Sequence, residues 1–265
     1  MIYIWKEWKE QSRGKGIWLS LSVVILLSLF LLMQSRSFPS ELGYQVFLFS
    51  VYQMCVYLLP LLSLFLASFA IMQEKEQKTL LILLTKKESY RQFFLKKSIA
   101  VQCVSLAIFI GWFFLFSLPS RLYLPFDLQS LMGFLLAISI LLLIFNQIGM
   151  LLGSICSTRM QLVGANIFTW FLLVFLIDLI FLYALPSVNK DNIFMFSILY
   201  FLDPLHTLSF YLETTLGLFS LNHLSRLMEK MVWTSPINFL LVDCVLLMVV
   251  AFELAIRFRS KGDKV

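Results

Sequence analysis

Residues 73–97 read QEKEQKTLLILLTKKESYRQFFLKK, and they hold seven of the 21 lysines and arginines of a 265-residue chain. Strongly apolar sequence lies on both sides. The stretch therefore reads as a charged loop between two membrane spans. Inside it sits a short leucine run, Leu80-Leu81-Ile82-Leu83-Leu84, too short to cross a bilayer, which needs about 20 residues. An amphipathic insert within the most basic loop of a membrane protein suits a docking element.

The rest of the composition agrees. The chain is 60% hydrophobic and only 14% charged, with mean hydropathy +0.88. A soluble domain carries about 45–50% apolar and about 25% charged residues. So much apolar surface cannot be hidden in a core of its own, and lipid must solvate much of it. The expected fold class is an all-α polytopic membrane protein with six transmembrane helices, forming a single transmembrane domain over 1–265.

Working outward, residues 1–15 (MIYIWKEWKEQSRGK) form an amphipathic helix. At about 100° per residue, Met1, Ile4, Trp5 and Trp8 share a face, with Lys6, Lys9, Glu10 and Arg13 opposite and Glu7 and Lys15 nearer the edge. Such a helix suits the headgroup layer of the lipid. The next apolar run reads as a first anchor, not a cleaved signal. Spans are expected at about 17–33, 46–72 (with Pro60 inside), 98–118, 131–155, 162–185 and 236–258. Residues 186–235 break the pattern: 193–202 is too short to span, Asp203-Pro204 ends it, and Gly217 interrupts the amphipathic residues beyond. This segment is expected to form interfacial or re-entrant helices.

Charge placement orients the chain. Residues 1–16, 73–97, 154–161 and 257–265 hold 16 lysines and arginines, whereas 34–45, 119–130 and 186–235 hold five. By the positive-inside rule both termini and loop 73–97 are cytoplasmic and segment 186–235 is external. The location implied is a cytoplasmic membrane, crossed several times.

Three acids fall within spans. Asp178, near the middle of the fifth, reads either as a proton or substrate site or as a hydrogen bond to a neighbouring helix or subunit. Asp243 lies toward the external end of the sixth, where water can reach it. Glu253 stands one turn before Arg257, which suggests a local i, i+4 pair. Asn146 and Gln147 suit either a polar path or bonds between helices. His206 and His223 lie 17 residues apart with no metal-binding spacing around them, and Cys55, Cys103, Cys156 and Cys244 form no close-spaced pair. Neither a metal site nor a disulfide framework is indicated. No nucleotide-binding glycine pattern and no catalytic constellation occurs, so the chain reads as a non-catalytic subunit with no cofactor of its own and no nucleic-acid partner. Work done by it needs a partner's energy or an ion gradient.

Four local features resemble the ABC type 2, exporter-type permeases, in particular a NosY-like branch. KEWKEQSRGK (6–15) resembles their elbow helix. Residues 74–97 resemble their pattern of an acid (Glu74 or Glu76), Thr79, a leucine run, a small residue (Thr85) and a basic stretch. Trp170 followed eight residues later by Asp178-Leu179 is similar to a W…DL pattern. Asp203-Pro204-Leu205 matches a site where Asn-Pro is usual. Lys78 in place of Gly, and Lys86-Lys87 in place of Pro, depart from the pattern.

The resemblance implies a homodimer in which each copy docks a cytoplasmic ABC ATPase that binds ATP and Mg. In that scheme 73–97 is the coupling segment. Leu80, Leu81, Leu83 and Leu84 enter the ATPase, and Lys86, Lys87 and Arg91 orient it. An external accessory protein and a role in copper-enzyme maturation are further implications. Export of a hydrophobic peptide or drug, or a stand-alone ion-coupled carrier with Asp178 as proton site, are the alternatives.

Overall fold

The computed structural model describes residues 2–34, 43–77, 89–189, 192–218 and 231–258, and among them every regular element is helical. Helix α1 (Ile2–Arg13) is the expected elbow. It turns into α2 (Lys15–Gln34), followed by α3 (Gly43–Glu76), α4 (Tyr90–Ser120), α5 (Leu128–Ile155), α6 (Arg159–Ser187), α7 (Ile193–Phe201), α8 (Pro204–Thr215) and α9 (Pro236–Arg257). Six of these, α2 to α6 and α9, are long and apolar enough to cross a membrane.

Two spans are longer than the sequence suggests. At 1.5 Å per residue, α3 with 34 residues runs to about 51 Å and α4 with 31 residues to about 46 Å, against a hydrocarbon layer of about 30 Å. Gln73–Glu76 and Tyr90–Lys97 are therefore helix, not the loop that their charges suggest. The reason is that apolar and charged residues alternate there at helical spacing. Tyr90, Phe93, Phe94 and Lys97 all turn inward and are buried. Ser89 caps α4 by accepting from the Gln92 amide at 3.3 Å.

The centre of the bundle is α5, whose apolar stretch is 67% buried against 6% for α6. Its closest neighbour is α3. Gly149 and Gly153, four residues apart, allow the two backbones to touch: a Cβ on Gly149 would lie 2.7 Å from the Leu64 carbonyl oxygen, and one on Gly153 2.7 Å from that of Ser68. Small residues spaced this way are how membrane helices gain packing where lipid offers no hydrophobic drive. On the other flank Phe134 meets Phe113 of α4 edge-on, with centroids 5.2 Å apart. At its start, Asp127 caps α5 by accepting from the Ser130 hydroxyl and the Gln129 and Ser130 amides. The Ser130 hydroxyl leads in holding the Asp127 carboxyl below its ordinary range.

Helices α7 and α8 meet at 91° around Asp203-Pro204. Asp203 is extended and caps α8 through the His206 amide, 3.3 Å away, and Pro204 occupies the first helical turn. Arg91 at the start of α4 pairs with Glu253 near the end of α9, while α1 packs on α4. The elbow, the root of α4 and the end of α9 thus share one end of the bundle. α6 ends and α9 begins at the opposite end, where the bent pair α7–α8 lies between them in the chain.

Replacing Gly149 with valine should wedge α3 from α5. Overpacking of this kind costs about 1–3 kcal/mol, so the thermal unfolding temperature in detergent should fall by several degrees. Gly164→Val, at a position where a Cβ meets nothing within 4 Å, should leave it nearly unchanged.

Candidate functional site

Two clusters of polar side chains lie at opposite ends of the bundle. The first is built around Lys97, about two turns into α4 and 2% exposed in its side chain. Its ammonium lies 2.5 Å from Glu7 Oε2 of α1 and 3.0 Å from Glu74 Oε1 of α3, with Glu10 Oε2 at 3.9 Å. Glu74 also accepts from Lys6 at 2.8 Å. Glu7, at the edge of the helical wheel, proves to be the inward-facing residue of the elbow, while Trp5 and Trp8 point outward.

Around this knot further charged side chains are tied down. Lys75 Nζ donates to the carbonyls of Ser154 (2.7 Å) and Cys156 (3.2 Å), satisfying the open end of α5. Burial pushes the Cys156 thiol up, while the Lys75 ammonium pulls the other way. The Tyr90 hydroxyl donates to Ser154 Oγ at 2.6 Å, and Ser154 Oγ donates to the Ala255 carbonyl at 2.8 Å. Glu76 pairs with Arg159 of α6, accepting from its Nε and Nη2 on separate carboxylate oxygens. Arg91 Nη2 lies 2.6 Å from Glu253 Oε1. The local Glu253–Arg257 pair expected from sequence gives way to this one, because the overlong α4 brings a guanidinium across the end of α9.

Of the residues singled out in the charged stretch, Glu74, Glu76 and Arg91 belong to this frame. Glu74 is buried inside it. Thr79, Leu80, Leu81, Leu83, Leu84, Lys86 and Lys87 lie outside the described residues, as does His223.

The second cluster lines a cleft of about 360 Å³ between α3, α6 and α8. Asp178 and Tyr52 sit nine residues from the ends of α6 and α3 remote from Lys97. The cleft is thus about 14 Å deep from that end. Asp178 Oδ1 lies 3.1 Å from His206 Nε2, and His206 Nδ1 lies 2.5 Å from Asp203 Oδ2. Tyr52 and Ser209 hydroxyls meet at 3.3 Å across the floor. The interval from Trp170 to Asp178 contains a π-helical turn, Leu172–Leu176, a distortion common at functional sites. Trp170 anchors the near side of that turn by donating to the Tyr57 carbonyl at 2.9 Å.

The remaining intramembrane residues resolve as packing. Asn146 Nδ2 donates to Gln102 Oε1 (3.1 Å) and Ser105 Oγ (2.6 Å), and Gln147 Oε1 accepts from Ser98 at 2.6 Å. Both side chains bond α5 to α4 and line no open path. Asp243, expected to be hydrated, is instead 4% exposed, because α9 packs against α5 and α8 at its level. All four cysteines are free. The pairing of Asp178 with His206 could not be read from sequence: 28 residues and a 91° turn separate them, and nothing local marks them as partners.

Six helices long and apolar enough to span, with a short amphipathic helix before them and a bent helix pair before the last, define a polytopic membrane protein. The family description "ABC-2 family transporter protein" matches residues 1–262. The chain belongs to that family, whose members are membrane subunits of ABC transporters. A search among curated proteins finds no match.

Replacing Lys97 with methionine should leave Glu7 and Glu74 buried without their shared cation. Breaking a buried pair from one side costs about 3–5 kcal/mol. The expected outcome is earlier thermal unfolding together with faster proteolysis within residues 1–14. Lys97→Arg should restore most of both.

Proposed function

We propose that this chain is the permease half of an exporter-type ABC transporter, NosY-like in branch. In this reading it works as a homodimer in the cytoplasmic membrane with both termini inside, and a separate ATPase that binds ATP and Mg docks on residues 79–87. The observation that carries this reading is the Lys97 knot. It makes the two helices that root the docking segment, and the elbow, one mechanical unit. Helices longer than a bilayer needs, tied together at this end, suit a stalk that carries a docking segment.

Motion imposed on the segment would pass into α3 and α4 together. α3 runs without a break from Glu76 to Gly43, and its far half carries Tyr52, Gln53 and Tyr57 of the cleft. Pro60 lies between knot and cleft and removes one backbone hydrogen bond from α3. It supplies the point at which a push at one end bends the helix at the other. The closing of two ATPases then shifts the balance between inward-open and outward-open states. The leucines of 80–84 fill the ATPase groove, Lys86, Lys87 and Arg91 steer the approach, and Glu74 and Glu76 hold the stalk beneath them.

Maturation of a copper enzyme, assisted by an external accessory protein, is the role the NosY-like pattern supports. Export of a hydrophobic peptide or drug is favoured by a separate, largely apolar cavity of about 390 Å³ lined by Phe194, Phe201, Trp233 and Phe239. The Asp178–His206 pair favours a second reading, an ion-coupled carrier.

Leu81→Asp with Leu84→Asp should abolish co-purification of the co-expressed ATPase while the permease stays monodisperse. Retained co-purification would sink the docking assignment. Transport by the purified chain alone in proteoliposomes, lost in Asp178→Asn, would favour the carrier instead.

A further inference from the structure

We propose that Asp178 and His206 form the protein half of a site for a divalent transition-metal ion of the zinc class, with Asp203 as the carboxylate that orients the histidine. The argument begins with the imidazole. Its ring is held by Tyr200, with centroids 4.1 Å apart, and by Phe181 edge-on at 5.2 Å. Asp203 is 4% exposed, and its Oδ2 already accepts from the His206 amide. An ionised carboxylate only accepts, so the 2.5 Å contact to Oδ2 places the hydrogen on Nδ1. Nε2 then faces Asp178 Oδ1, 3.1 Å away, and in the neutral tautomer it presents a lone pair there. Two acceptors at that distance repel one another unless a cation is shared between them.

The spacing suits a metal. Bonds of about 2.0–2.1 Å put neighbouring ligands roughly 2.9 Å apart on an octahedron and roughly 3.3 Å apart on a tetrahedron. The observed 3.1 Å falls between those values. The ligand atoms of all three residues lie within 4.8 Å of one another. Imidazole with carboxylate is the donor set of zinc, nickel and cobalt sites. A carboxylate behind the histidine is the usual device for fixing the ligating nitrogen.

Two protein ligands leave the remaining positions open toward the cleft, into which Asp178 is 58% exposed. An ion there is exchangeable, and it can arrive with ligands of its own or take them from water. It also fastens α6 to α8 across the cleft. The competing occupant is a proton, which would make His206 an imidazolium bridging two carboxylates.

Zinc titration of the tag-free, full-length chain in lipid nanodiscs, against a chromophoric chelator, separates the two. One saturable zinc site per chain is expected. Asp178→Asn and His206→Gln should each weaken it at least tenfold, and Asp203→Asn about tenfold. His223→Gln should have no effect. Cobalt bound at the same site should give visible absorption bands that His206→Gln removes. Absence of saturable binding in the parent chain, or binding indifferent to both His206→Gln and Asp178→Asn, overturns the proposal. Asp178→Asn changes neither size nor shape at a half-exposed position, so the result does not depend on His206→Gln folding. No ATPase and no transport enter the measurement, which keeps its outcome separate from the permease reading.

Discussion

A buried ammonium with two carboxylates is the constraint on which the rest of this molecule rests. Lys97 is removed from water along with Glu7 and Glu74, and desolvating three charges is affordable only when all are held in contact. Their positions along the chain, 7, 74 and 97, belong to three different helices. Satisfying one cation therefore fixes the elbow, the end of α3 and the start of α4 in a single arrangement. The surrounding bonds, Lys75 to the end of α5, Tyr90 through Ser154 to α9, Glu76 to α6 and Arg91 to α9, are made around that fixed point. Nearly every span is thereby anchored at one end.

The opposite end is built on different terms. There the contacts are single hydrogen bonds, ring edges and a helix pair that turns through 91°. Between the two ends lie Pro60 in α3 and the π-helical turn in α6, each of which interrupts regular backbone bonding. The glycine contacts at Gly149 and Gly153 keep α3 on α5 through the half nearer the charged knot. Rigidity and freedom are thus sorted along the axis of the bundle. A chain that passes motion from one end to the other, as proposed for this one, needs both.

Much of this is legible in the sequence because hydropathy and periodicity are local signals. Six candidate spans, a short helix before them and a break at 203–204 are read from run lengths, from the tryptophan–lysine faces of residues 1–15 and from Asp203-Pro204. Pairing at a distance is not legible. Sequence rules pair Glu253 with Arg257, four residues on, but the partner is Arg91, 162 residues away. Glu7 looks peripheral on a helical wheel and is instead the innermost residue of its helix. Charged residues at 73–76 and 90–97 look like loop, because a hydropathy window counts charges without knowing that they meet one another. Asp243 shows the same blindness in reverse: depth along a span suggests open water, and neighbouring helices leave it 4% exposed at the wall of a cavity.

Asp178 carries the last step. An acid within a span costs about 2.5–3.5 kcal/mol when it meets hydrocarbon. Its relief here comes from His206, which in turn is held by buried Asp203. The cleft must therefore stay open to water or be filled by polar atoms; it cannot face lipid tails. That restricts how any neighbour can use α6, the least buried of the spans. Exposed Ile180 and Tyr183 project from the side of α6 roughly opposite Asp178, at about 100° of turn per residue. A second copy packed on that apolar side leaves the cleft accessible. One packed across Asp178 would instead close it and bury a carboxylate whose only described partner is a histidine. The electrostatics of one aspartate thus favour the first arrangement, with the polar cleft left for whatever the protein binds.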